Sequence, residues 1–332
     1  MSDSHDQPLD VPEVSILVVA YNSQKLIERC IEAVAHASQR TRVEILFVDN
    51  GDGGSQALVE ERFPYVRIIT SQGNIGFARG NNLLAEHACA PYLLLLNPDM
   101  FLCEEAIDIL VDAARRHSEA AAWGGVTMDD AGQPDVGNAI AIPSLLEFAS
   151  AALGHSLAGH RASHDYDQDR KVRVLSGGFV MLSREAWDEA GGLDGKFFLY
   201  CEEVDLFYRL ERQGYDLWHI SHARAMHEMA HGDHLSARRL LYRSAGTMQF
   251  LRKHWSPPAR FLGAGLLWLA AFERYFAGKL LGRLRPDLAR LGEAYRLMAT
   301  RPELWLAGYD PQRGLTARLS EGALETGRSV ST

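Results

Sequence analysis

Short apolar runs alternate with stretches of helical periodicity along most of the chain. Val14–Ala20 (VSILVVA), Val43–Val48 (VEILFV) and Val66–Thr70 read as strands, and so does Tyr92–Met100, where four leucines precede Asn97-Pro98-Asp99. Helical patterns follow them: Ile27, Ile31 and Val34 after the first, then a stretch after Ser55, then Arg79–Ala88 and Glu104–His117. Trp123–Met128, Val174–Leu182 and Asp216–Ile220 complete the strands, with helices at Arg184–Ala190 and from Glu202 to Gln213, closed by Gly214. Unbroken apolar strands are buried on both faces. Their alternation with helices predicts an α/β fold, a mostly parallel sheet flanked by helices. Asp129–Lys171 is loop-rich around one short helix, Ser144–Leu153. A long insert of this kind is either a lid or acceptor loop, or a surface excursion, as for Gly159–Arg170.

In such sheets ligands gather at the carboxyl ends of the strands. Polar and acidic residues stand at three of those ends: Asn22, then Asp49, Asn50 and Asp52, then Asp99. Asp99 could hold a divalent cation against a diphosphate, or it could close an Asx-Pro turn on its own backbone. The first strand is followed by AYNSQKL, not GxGxxG, and no GxxxxGK[ST] occurs, which argues against a Rossmann dinucleotide site and a P-loop. Gly177 and Gly178 permit close backbone approach. Glu202, Glu203 and Asp205 crowd the start of a helix, where acids also complement the helix dipole.

The 332 residues carry a net charge of −9, which argues against general nucleic-acid binding. From Leu251 to Arg301 ten Lys/Arg face three Asp/Glu, so the total divides into +7 here and −16 elsewhere. Leu269, Phe272, Phe276, Leu280 and Leu284 recur there at helical spacing with basic residues between them. The segment is expected either to pack on the domain or on another subunit of a homo-oligomer, or to lie on a membrane surface. The four cysteines form no CxxC and read as reduced thiols of a cytoplasmic protein. The N-terminus lacks the basic flank and apolar core of a signal peptide, and no apolar run is long enough to span a bilayer. His227-Glu228-Met229-Ala230-His231 spells HExxH, a zinc-hydrolase signature that requires a helix through both histidines.

VSILVVAYN, FVDNGDGGS, GNIGFARGNN, LLLLNPDM and SGGFVMLSREAWDEAGGLDGKFFLYCEEVDLFYRL, in that order, resemble glycosyltransferase family 2, the inverting enzymes of GT-A (nucleotide-diphospho-sugar transferase) fold. The subgroup they most resemble contains bacterial rhamnosyltransferases of cell-wall and surface polysaccharide synthesis. The resemblance implies a GT-A domain over residues 13–235 and a C-terminal helical region over 236–312, with disordered ends at 1–12 and 313–332. It implies a nucleotide-sugar pocket (dTDP-, UDP- or GDP-sugar) built from Ala20, Tyr21, Asn22, Asp49, Asn50, Asp52, Asn74, Gly76, Arg79, Asn97, Gly177 and Gly178. Asn97-Pro98-Asp99 stands where the family has DxD, so Asp99, with His227 nearby, would bind Mg2+ or Mn2+. Glu202-Glu203-Val204-Asp205 matches Glu-Asp-x-Asp, making Glu203 the general base, with Asp205 or Glu202 as alternatives. The expected activity is transfer of a sugar, rhamnose from dTDP-rhamnose, to a glycan or polyprenyl-diphosphate-linked acceptor at the cytoplasmic face of the membrane. Asn97 and Glu203 depart from the family pattern, which keeps a nucleotide-sugar-binding protein without turnover as the second reading.

Overall fold

The computed structural model describes residues 11–70, 73–135, 138, 140–154, 166–228, 236–310 and 314–315. A nine-stranded sheet forms its centre. β1 (Val14–Ala20) is buried along its whole length and runs parallel to β2 (Val43–Asp49) on one side and β4 (Tyr92–Leu96) on the other. β3 (Arg67–Ile68) extends the parallel half beyond β2. Past β4 the sheet becomes mixed. β8 (Phe179–Ser183) is antiparallel to both β4 and β6 (Ala120–Met128), and β9 (Asp216–His227) is parallel to β6. β5 (Met100–Leu102) and β7 (Arg170–Val172) pair antiparallel with β9.

Two apolar layers explain the unbroken runs. Ile16, Val18, Phe47, Leu94 and Leu96 face α1 (Ile27–Ala37) and α4 (Ala106–Arg116). Leu17, Val19, Leu46, Leu93 and Leu95 face the opposite layer: α3 (Phe77–His87), α6 (Arg184–Ala190) and α7 (Glu202–Gln213). Alternate residues of one strand thus serve opposite cores, and burying each leucine stabilises the fold by roughly 1.5–3 kcal/mol. α2 (Gly54–Arg62) follows β2, and α5 (Leu145–Ala152) lies in the insert.

A third core joins the C-terminal elements. α8 (Ala237–His254), α9 (Pro257–Leu281), α10 (Pro286–Thr300) and α11 (Glu303–Leu306) pack through Leu241, Met248, Ala271, Leu297 and Trp305. A small hairpin, β10 (Tyr309–Asp310) with β11 (Gly314–Leu315), returns to this core. Gly314 and Leu315, expected in a disordered tail, are therefore paired. The rest of that tail, residues 1–10 and residues 155–165 of the insert lie outside the described residues.

Three strands differ from expectation. β8 begins at Phe179, not Val174, because Ser176–Gly178 form its entry turn. The Leu run does not end the sheet: after Asn97-Pro98-Asp99 the chain resumes as β5. β9 continues well past Ile220. There, buried Ala223 and Ala225 alternate with less buried His222, Arg224 and Met226, a pattern in a residue of low β-propensity. His227 consequently closes a strand, opposite Met100. The helix that an HExxH zinc site needs is not present at His227, and the zinc-hydrolase reading fails on that geometry.

Candidate active site

The β4–β5 turn delivers the central carboxylate. Asn97 N–H donates to Gly178 O at 2.9 Å, and Met100 N–H to Asn97 O at 3.1 Å, so the turn is locked to the entrance of β8. A Cβ on Gly178 would lie 3.0 Å from Asn97 Nδ2, so no larger residue fits there without displacing Asn97. Asp99 Oδ1 is buried with no hydrogen-bond partner. Its Oδ2 lies 3.6 Å from His227 Nε2. The pairing of Met100 with His227, reinforced by Glu228 N–H on Asp99 O at 3.0 Å, brings these two side chains together.

Behind His227 stands a residue the sequence did not single out. Asp135, buried, receives His227 Nδ1 at 2.5 Å and Thr127 Oγ1 at 2.5 Å. Burial alone would lower the His227 pKa. The hydrogen bonds to Asp135 and Asp99 outweigh it and hold the imidazole up at about 9. A carboxylate behind an imidazole fixes ring orientation, the usual support of a metal-ligating histidine. Among the described residues no three His, Cys, Asp or Glu converge on one point. Asp99 and His227 thus offer two protein donors, one with an unpartnered oxygen. That suits a divalent cation whose other positions are filled by water and substrate phosphate.

Asp99 opens onto a cavity of about 360 Å³, with His227 and Asp135 behind it and outside the lining. Of the residues named from sequence, Tyr21, Asn50, Asn74, Gly76, Asn97 and Asp99 line it. Asn50 Nδ2 donates to Gly76 O at 3.0 Å, and Asn74 Oδ1 accepts Gly76 N–H at 3.1 Å. Gly76 has φ +82°, and a Cβ there would lie 2.6 Å from Phe198 O, so glycine is required. Ala20, Asn22, Asp49, Asp52, Arg79, Gly177 and Gly178 do not line the cavity, and neither do Glu202, Glu203, Asp205 or His227. Asp49 instead accepts Gly51 N–H at 2.7 Å and Gln56 N–H at 3.0 Å, while Asp52 accepts from Gln24 and Gly54. Ala20 lends its carbonyl to Asn50 N–H.

The opposite wall was not legible in the motifs. It comes from the start of α8, where Ser236 Oγ caps Arg239 N–H at 3.2 Å. Arg238 and Arg239 line the cavity beside Tyr200 and Tyr242. Arg239 Nε donates to Tyr200 Oη at 3.2 Å. Two guanidinium groups at a helix N-terminus make a cationic wall suited to phosphate.

The acidic start of α7 divides by role. Tyr200 and Cys201 take φ of +69° and +68°, a strained bend that side chains rarely adopt. Gly246 lets α8 press against it, since a Cβ there would sit 2.4 Å from Tyr200 O. Glu203 follows. A Cβ on Gly177 would be 3.4 Å from Glu203 Cβ and 3.7 Å from Phe77 Cε1, a cavity-lining ring. Glu203 is partly buried as a residue, but its Oε2 is sealed and unpartnered. Desolvation raises its pKa to about 7 against the opposing pull of backbone N–H and Arg243. Burial, then the neighbouring Glu203, push Glu202 well above the carboxylate range. Asp205 is committed elsewhere. Fully buried, it meets Arg209 Nε at 2.9 Å, Lys253 Nζ at 2.8 Å and His254 Nε2 at 2.7 Å. With its lone pairs so engaged, Asp205 is a structural anchor and not a free base.

The fold and sequence have recognisable relatives. A mannosyltransferase from Pyrobaculum calidifontis, solved with GDP-Man and Mn2+, superposes with a TM-score of 0.53 at 17% identity, covering 90% of this chain and 86% of that one. GalNAc-T7, solved with UDP, GalNAc and Mn2+, gives a TM-score of 0.55 at 13% identity, covering 86% of this chain and 55% of the other. Both show the GT-A fold. In sequence, the chain is 31% identical over 236 residues to an N-acetylglucosaminyl-diphospho-decaprenol L-rhamnosyltransferase of Mycobacterium tuberculosis, covering 65% of this chain and 76% of the relative. It is 25% identical over 233 residues to rhamnosyltransferase WbbL of Escherichia coli K12, covering 67% and 86%. The family model for glycosyl transferase family 2 matches residues 15–191, more than half the chain and all of the strand-end turns up to Gly191. On that match the chain belongs to glycosyl transferase family 2.

Proposed function

We propose that this enzyme transfers rhamnose from dTDP-rhamnose to a polyprenyl-diphosphate-linked sugar, by single displacement with inversion, at the cytoplasmic face of the membrane. The rhamnosyl donor and lipid-linked acceptor are carried over from the relatives' names. Asp99, backed by His227, lines one cavity with Arg238 and Arg239, and this supports the diphosphate end of the reading. Residues 13–235 would form the transferase domain and 236–312 its helical companion.

Asp99 and His227 would hold Mg2+ or Mn2+, with Asp135 orienting the imidazole. The bound cation supplies neutralisation of the charge that builds on the departing diphosphate. Arg238 and Arg239 add fixed positive charge to the same end. Tyr21, Asn50 and Asn74 shape the nucleoside end. The acceptor hydroxyl attacks the anomeric carbon on the face opposite the diphosphate. The bond from that carbon to the phosphate oxygen breaks, its electron pair leaves with the nucleoside diphosphate, and the hydroxyl proton passes to Glu203. A carboxylate with pKa near 7 is a stronger base than an ordinary glutamate and is still half ionised at neutral pH. One base suffices, so the configuration inverts.

Calorimetric titration with dTDP, UDP and GDP, each with and without Mn2+, tests the donor end. Metal-dependent binding of dTDP above the others is the expected outcome. Preference for UDP or GDP would overturn the rhamnosyl assignment. Metal-dependent binding without turnover would favour the binding-protein reading.

A further inference from the structure

We propose that the outward face of α9 is a docking surface for anionic phospholipid, and that it holds the enzyme on the bilayer carrying its lipid-linked acceptor. No helix among the described residues is long and apolar enough to cross a membrane. Yet α9 turns its largest side chains outward: Phe261 is 84% exposed, Phe276 52% and Leu280 67%, with Trp268, Leu269 and Phe272 between them. From Trp268 these positions recur every four residues in a stripe along the helix, and Phe261 lies two turns before Trp268 on the same face. Trp268, Phe272 and Phe276 stack on one another at 5.3 and 6.0 Å, forming a ridge.

The insert widens the stripe. α5 packs against α9, with Arg274 Nη1 donating to Ala151 O at 3.1 Å, and it leaves Leu146 and Leu153 about three-quarters exposed. A soluble monomer rarely leaves so many large apolar groups together uncovered.

Charge identifies the occupant. Lys279 lies within the stripe, Arg283 follows just beyond the end of the helix, and Glu273 is exposed at the stripe's border. The segment from Leu251 to Arg301 carries +7. A second copy docked face to face would bring two such segments together, whereas an anionic bilayer complements them. Aromatic rings beside Lys and Arg also suit the interfacial layer, where long basic side chains reach back to phosphate.

The lipid-linked acceptor of the proposed function supplies the motive for this docking. Vesicle binding is read without turnover, so the two ideas fail separately. The test is co-sedimentation of the full chain with vesicles of phosphatidylglycerol and phosphatidylethanolamine, against vesicles of phosphatidylcholine alone. Binding should be about tenfold tighter to the anionic vesicles and should weaken at high salt. Lys279→Glu with Arg283→Glu should remove that preference. Phe261→Ser, Phe276→Ser and Leu280→Ser together should lower partitioning about tenfold or more while leaving the melting temperature in place. Failure of the unmodified chain to pellet with anionic vesicles overturns the proposal. So does a concentration-dependent dimer in sedimentation velocity that the serine substitutions dissolve, because the face would then belong to a second copy.

Discussion

The turns after β2 and β4 stand at the ends of parallel strands on either side of β1, and each carries a carboxylate, Asp49 and Asp99. They spend it differently. Asp49 gives both oxygens to backbone N–H groups of its own turn, which shapes the start of α2. Asp99 keeps Oδ1 buried and unpartnered and points Oδ2 at His227. The same contrast recurs within one turn of α7, where Asp205 meets Arg209, Lys253 and His254 and Glu203 has a sealed, unpartnered oxygen. An acidic residue at a favourable place in the fold is available for chemistry only when its lone pairs are not already used by structure. An unsatisfied buried carboxylate is costly, so its survival points to a ligand or a proton as its partner.

Substitutions can break or sharpen this contrast. Asp99→Asn should abolish metal-dependent donor binding in calorimetry and lower turnover by about 10³-fold, the largest effect expected here. Retained Mn2+-dependent affinity in that variant would erase the distinction between the two turns. Glu203→Gln should lower kcat by about 10²–10⁴-fold with donor affinity kept. Full activity there would dismiss Glu203 as the base. In the unmodified enzyme the base must be ionised to act. Log kcat/KM should therefore rise with unit slope below pH 7 and level off above it, and the Glu203→Gln residual rate should lose that inflection.

Asp205→Asn should act on stability, removing the buried carboxylate shared by Arg209, Lys253 and His254 at a cost of about 3 kcal/mol in chemical denaturation. A variant that keeps its denaturation midpoint but loses turnover would return Asp205 to the list of bases. The smallest effect belongs to Asp49→Asn. One N–H would face an amide in place of an oxygen, at about 1 kcal/mol. A complete loss of nucleotide binding in that variant would show that Asp49 also serves the ligand.

The sequence carried this contrast only in part. Residues near each other in the chain were legible: the buried leucines of β4, the stop at Asn97, the acidic start of α7. Their exposure patterns follow from periodicity alone. The cationic wall was not legible, because Arg238 and Arg239 open a helix far along the chain, and nothing local marks which way an arginine pair will face. Asp135 was missed for a related reason. It lies in a loop-rich insert, and its meaning comes from His227, 92 positions away. Spacing placed Asp205 with Glu203, while the helix rotation between them sends Glu203 toward Gly177 and Asp205 toward Lys253 and His254 of α8.

The pairing of β5 with β9 has a consequence for how such an enzyme can change over evolutionary time. Met100 and His227 are opposite one another, and every element from α4 to α7 lies in the chain between them. Residues can be added to or removed from the loops of that interval, including the insert around α5, without altering the register that joins the two ends. A slip of one residue inside either strand would instead turn His227 to the other face of the sheet. The loops of that interval are therefore open to insertion and deletion, whereas the paired ends, Met100–Leu102 and Ala225–His227, tolerate neither.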